Sequence, residues 1–188
     1  WTDRNNKLRP LAEIYSEWGS SEENKTLSIQ ESFCLEDYFR MLAKRIYYLG
    51  RFGSIQQGLA EGNKMGIIAC SDTHLGLPGG GSKGRHAVGG LTAVYAQDLT
   101  RSDIWDALIQ RRTYGTTGVR ILLKFDINGN MMGMEFTTGS DPIIKVDVAG
   151  TAAIQIRDVV KCNHTTSKEY YVAHTENPNK KTAAFSWT

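Results

Sequence analysis

The chain has 188 residues, a formal net charge of +2, and 40% hydrophobic and 10% aromatic residues. That is enough for one domain or two small ones around a buried core, and it gives no global electrostatic case for nucleic acid or acidic lipid. No apolar run approaches the roughly 20 residues of a membrane span, and the first residues carry no signal-peptide pattern. Cys34, Cys70 and Cys162 are widely spaced and form no CxxC pair, which argues against a disulfide framework or a thiolate zinc site. Trp1 stands where an initiator Met is expected, which points to a processed or truncated piece. None of this selects a compartment.

Leu11-Ala12-Glu13-Ile14-Tyr15-Ser16 reads as a short strand carrying one carboxylate, followed by a loop from Trp18. Glu13 either sits on a solvated face or points into a site at the strand end. In residues 25–50, Leu35, Tyr38, Phe39, Leu42 and Ile46 recur at helical spacing among basic residues. An amphipathic helix accounts for this better than nucleic-acid stacking does. Ser54 caps a second helix that stops at Gly62. Gly66 to Cys70 follows as a buried strand, with Cys70 read as a small core residue. The strand ends in Ser71-Asp72-Thr73-His74. The next loop is rich in glycine and carries Lys83, Arg85 and His86. It lacks the Gly-Lys-Ser/Thr ending of a phosphate-binding P-loop, and it reads either as plain flexibility or as a lid for an anionic substrate.

Gly90 to Ala96 is the next predicted strand. Thr100 with Asp103 three residues on marks a helix start, with Ile104, Trp105, Leu108 and Ile109 as its buried stripe. Arg111 and Arg112 suit the negative end of that helix, and Thr113 to Gly118 reads as a polar turn. From Arg120 the pattern changes. Ile121–Ile127 and Met131–Phe136 flank an Asn128-Gly129 hairpin turn. Strand-like runs follow at 143–148, 153–160, 169–174 and 183–187, separated by turn residues such as Gly139, Gly150 and Pro178. The sequence therefore predicts an α/β part over residues 1–118, and an all-β part over 119–188 that forms a small antiparallel β-sandwich. His164 and His174 read as surface residues.

Asp72 and His74 supply the chemistry. Carboxylate and imidazole suit zinc, manganese or iron, and an Asp-x-His spacing on an extended segment puts both side chains on one face. Glu13 and His86 are candidates to join them. A metal set of this kind would activate a bound water. A structural hydrogen-bonded couple stays open beside it. A Ser-His-Asp triad using Ser71 or Ser82 lacks the Gly-x-Ser-x-Gly elbow.

Gly-Ile-Ile-Ala-Cys-Ser-Asp-Thr-His resembles the last metal-binding motif of the PHP (polymerase and histidinol phosphatase) superfamily. Glu-Ile-Tyr-Ser, Gly-Gly-Leu-Thr-Ala-Val-Tyr-Ala, Ile-Trp-Asp-Ala-Leu, Arg-Arg-Thr-Tyr-Gly-Thr-Thr-Gly and Asn-Gly-Asn-Met-Met-Gly extend the likeness to the DUF3604 branch. The resemblance implies a distorted (β/α)7 barrel with metals at the C-terminal ends of the strands, and hydrolysis of phosphoesters by two or three metal ions. By position, Asp72 and His74 match the final ligand pair and Glu13 the strand-end Glu. The family opens on a His-x-His strand, which this chain lacks, since its histidines all come at or after position 74.

The expectation is therefore a partial PHP-type (β/α) barrel with a β-sandwich tail, the C-terminal portion of a metal-dependent phosphoesterase. Asp72 and His74 would be its catalytic residues, and Glu13, Asp72 and His74 its ligands for a divalent metal (Zn, Mn or Fe). Arg85, His86 and Arg112 would contact a small phosphorylated substrate. As a fragment, the chain would be weakly active or inactive, and would oligomerise, pair with a missing N-terminal portion, or rearrange its sheet. The alternative is a non-catalytic binding module in which the Asp72–His74 corner is vestigial.

Overall fold

Local chemistry sets several of the elements. Ser54 is extended, and its hydroxyl accepts the Gln57 N–H at 3.2 Å, which starts α1 (Ile55–Ala60). Thr100 accepts the Asp103 N–H at 3.1 Å and starts α2 (Arg101–Ile109), while its hydroxyl donates back to the Asp103 carboxylate. Asn128 and Gly129, both at positive φ, turn β6 (Leu122–Ile127) into β7 (Asn130–Met131). The structure is a computed structural model that describes residues 5–17, 19–22, 54–74, 76, 89–155, 157–163, 169–176 and 179–187. The helix expected within 25–50 lies outside the described residues, as do Lys83, Arg85 and His86.

In the first half, β1 (Leu11–Ser16) pairs in parallel with β3 (Gly66–Ala69), and β2 (Gly19–Ser20) adds an antiparallel edge to β1. β4 (Leu91–Val94) and β5 (Thr113–Thr116) form an antiparallel ribbon against this sheet. Thr113–Gly118, expected as a turn, thus begins as a strand. Tyr15, Ala69, Ala107 and Tyr114 are buried at the centre of this half.

The tail is an open antiparallel sheet in the order β11–β8–β6–β7, where β8 is Ile144–Ile154 and β11 is Lys180–Trp187. Ile144 and Val146 are buried and alternate with exposed Lys145 and Asp147, as a half-covered strand requires. Gly150, expected to separate two strands, lies inside β8. β9 (Arg157–Asn163) and β10 (Glu169–Glu176) leave this sheet and form their own hairpin, close to α1.

The fold expectation is corrected accordingly. Among the described residues the chain is mostly β, with open sheets, no barrel and two helices. A (β/α) barrel needs each strand–helix–strand unit to return in parallel. Here α2 joins β4 to β5, and those two strands are antiparallel. β1 and β3 form one parallel pair, which does not close a barrel. The tail is likewise not the expected sandwich of stacked sheets, because among the described residues the β9–β10 hairpin lies close to α1 rather than against the four-stranded sheet. No helix among the described residues is long and apolar enough to cross a membrane.

α2 also departs from its expected face. Ala107 is its buried residue, whereas Trp105 is 62% exposed and Ile109 42% exposed. The helix lies close to β4, and the residue it buries is the small Ala107 while Trp105 faces outward.

Candidate functional site

Parallel pairing makes β1 and β3 end at the same edge of the sheet. β5 runs beside β3 in the same sense, since Gly66 packs on Arg111 and Gly115 on Ala69 and Ile14. The edge therefore gathers Ser16–Glu17, Cys70–His74, Thr116–Gly118 and the entry to β4 at Gly90. Loops at the C-terminal ends of strands are where α/β sheets hold ligands.

Asp72 and His74 meet at this edge. Asp72 Oδ1 and His74 Nε2 are 2.6 Å apart, a hydrogen bond or ion pair according to the protonation of the ring. The route differs from the expected extended segment. Asp72 has φ 51° and His74 φ 55°, both left-handed, with Thr73 buried between them. Asp and His tolerate that region better than most residues, and the turn curls the two side chains together. The His74 side chain is 76% exposed.

Glu13 pairs in register with Ile68, two positions before Cys70, so Glu13 and Cys70 share a face of the sheet. Glu13 is exposed by area, yet the surrounding chain strips enough water to raise its carboxyl above the ordinary value, and the Asp72 charge raises it further. The Cys70 thiol is raised by desolvation first, then by Glu13 and Asp72. Glu13, Cys70 and Asp72 thus lie within one another's field. Cys70 is free and exposed, where the sequence suggested a core residue. A strand end reverses the logic of an apolar run, because the last residue can face the open edge.

The structure does not bring Arg112 to this corner. It lies at the start of β5, beside the start of β3, at the far end of the strands from Asp72, and its guanidinium donates to the Gln110 side chain. The substrate role expected for Arg112 therefore has no geometric support. Arg85 and His86 lie outside the described residues. Glu17 was not singled out in the sequence, although it directly follows β1. It is 5% exposed, and its N–H donates to Ser71 O at 3.3 Å. A polar residue just past the end of a parallel strand is the signal that would have found it.

Glu13, Asp72 and His74 are suitable donor types for a divalent metal. Even so, no three His, Cys, Asp or Glu side chains gather closely enough to hold an ion among the described residues. The corner supplies a joined pair and a nearby carboxylate, and does not make a closed ligand set.

Residues 80–155 match the family described as "Protein of unknown function (DUF3604)". The family likeness is to DUF3604. The DUF3604 match runs from the glycine-rich loop through β8 and does not reach Glu13, Asp72 or His74. The curated relatives extend further. An uncharacterized protein of Chlamydia muridarum is 30% identical over 171 residues, covering 86% of this chain and 26% of the relative. Uncharacterized proteins of Chlamydia pneumoniae and Chlamydia trachomatis are each 30% identical, over 159 and 161 residues, covering 80% of this chain and 24% of each relative. The chain thus spans about a quarter of the length of the curated relatives it matches. No solved structure matches it.

Proposed function

We propose that this chain carries one side of the centre of a PHP-type, metal-dependent phosphoesterase, and that the remaining ligands come from outside the residues described. The observation that carries the reading is the Asp72–His74 contact. Two non-glycine residues hold left-handed backbone at a strand end, and their side chains meet there. Such strain persists where the surroundings over-determine it, and it concentrates at functional sites. The electrostatics agree, since crowded carboxylates at Glu13 and Asp72 favour a cation. A divalent metal at such a centre would activate water and stabilise charge on a phosphoryl oxygen. The chain's own residues act around it. Asp72 orients the His74 ring through Nε2, and the largely exposed ring keeps Nδ1 for a second contact.

A second reading is a non-catalytic binding module, in which the exposed Asp72–His74 couple is a structural hydrogen bond only. Manganese titration followed by electron paramagnetic resonance separates the two. Asp72→Asn is the informative variant, because Asn tolerates the left-handed backbone and lacks the charge. The phosphoesterase reading expects manganese binding by the wild-type chain that weakens at least tenfold in Asp72→Asn, with unchanged thermal stability. No binding by either protein favours the binding module.

A further inference from the structure

The left-handed turn at Asp72 and His74 has to be held by what precedes it. Each residue from Ala69 to Ser71 is pinned. Cys70 N–H donates to Tyr15 O at 3.0 Å, Gly90 N–H to Cys70 O at 2.9 Å, and Glu17 N–H to Ser71 O at 3.3 Å. At Ala69 a side chain takes over. The Thr92 hydroxyl accepts the Ala69 N–H at 3.0 Å and donates to the Ala69 carbonyl at 2.7 Å. It satisfies both backbone groups of the last residue of β3, as a neighbouring strand would. Ala69 is buried, so water is a poor substitute. Gly90 completes the seat: a Cβ there would come within 2.9 Å of Cys70 O and Tyr15 O, so the β4 entry can approach only as glycine.

We propose that Thr92 is a positioning residue for the Asp72–His74 corner. It locks the exit of β3, and that lock keeps the two downstream residues in left-handed backbone with their side chains joined. Thr92 is the handle among these ties because its bonds come from a side chain and can be removed without touching the backbone. The claim rests on the corner being the functional site and deepens that reading. It does not require that a metal be bound.

The test uses the isotope-labelled 188-residue chain and three variants. Thr92→Val keeps the shape and removes the hydroxyl, Thr92→Ser restores it, and Gly90→Ala disturbs the same seat by crowding. NMR reads the Cα and Cβ shifts of Asp72 and His74, which report left-handed backbone, and the His74 imidazole nitrogens, which report the contact with Asp72. In Thr92→Val, the Asp72 and His74 shifts move toward ordinary extended values and the imidazole signature of the pair is lost. Thr92→Ser restores both, and Gly90→Ala moves them in the same direction as Thr92→Val. If Thr92→Val lowers the melting temperature but leaves those shifts in place, Thr92 is merely structural and the proposal fails. If Thr92→Val does not fold, Thr92→Ser and Gly90→Ala decide: wild-type Asp72 and His74 shifts in a folded Gly90→Ala overturn the claim. Adding manganese to the wild type separates the two ideas. If His74 is not broadened, the metal reading fails, while the shifts alone still judge the positioning role.

Discussion

At the residue scale, ionised side chains do different work at the two ends of β3. Near its C-terminal end, desolvation and then the Asp72 charge make Glu13 harder to ionise, as at sites that receive a cation. Before its start, Lys64 and Arg111 converge on Glu135 from opposite sides, with Arg111 Nη2 at 2.8 Å from Oε1 and Lys64 on Oε2. The hydrogen bond from Lys64, and after it that from Arg111, holds the Glu135 carboxyl below its ordinary value. An acid with a depressed folded pKa stabilises the fold above its unfolded pKa of about 4.3, and that contribution is lost as pH falls through the folded value. Glu135 is half-exposed, so solvent screening limits the effect to about 1 kcal/mol at neutral pH. Urea unfolding at stepped pH should show Glu135→Gln less stable than wild type at pH 7, with the gap closing below pH 4. A gap independent of pH would mean that the ion cluster does not contribute in this way.

At the element scale, α2 shows why a periodic stripe is an incomplete guide. Ile104, Trp105, Leu108 and Ile109 recur at helical spacing, and the capping pair Thr100–Asp103 places the helix start correctly. Periodicity fixes an apolar arc but not which part of it faces the neighbour. Tertiary packing buries small Ala107, at 1% exposure, and leaves Trp105 outward. Chemical denaturation should therefore find Trp105→Ala nearly neutral, within about 0.5 kcal/mol, as for other exposed sites. Ala107→Leu should destabilise by about 1–3 kcal/mol through overpacking. The reverse ranking would restore the face read from the sequence. The crossing segment after β7 is held just as closely. Gly133, at φ 89°, has its carbonyl bound by Arg111 Nε at 3.2 Å and Nη2 at 3.0 Å, and a Cβ there would run into the Gln110 and Arg111 carbonyls.

At the scale of the whole molecule, the two halves are joined by side chains that reach across to backbone. Tyr114 donates to Ile121 O at 2.8 Å and accepts the Leu123 N–H at 3.2 Å, Tyr95 donates to Leu123 O, and Arg111 reaches Gly133. Tyr114→Phe leaves a backbone donor and an acceptor without this hydroxyl, which should cost about 1–3 kcal/mol. In calorimetry, the wild type should melt as one transition. Tyr114→Phe combined with Glu135→Gln should lower the midpoint and broaden or split the peak. A sharp, unshifted peak would show that these ties do not couple the halves.

What the sequence alone determined is what local chemistry determines. Hydroxyl caps at Ser54 and Thr100, the Asn128-Gly129 turn, the strands at Leu11 and Gly66, and the meeting of Asp72 with His74 all follow from neighbours within a few positions. The tertiary structure decided the rest. It set the antiparallel return of β5, the separate β9–β10 hairpin, the outward face of α2 and the placement of Arg112 away from the corner. It also recruited Glu17 and Thr92 to the end of β3. These depend on which strands pair and in which direction, and pairing is set by contacts between residues far apart in the chain. Spacing within a segment carries no record of them.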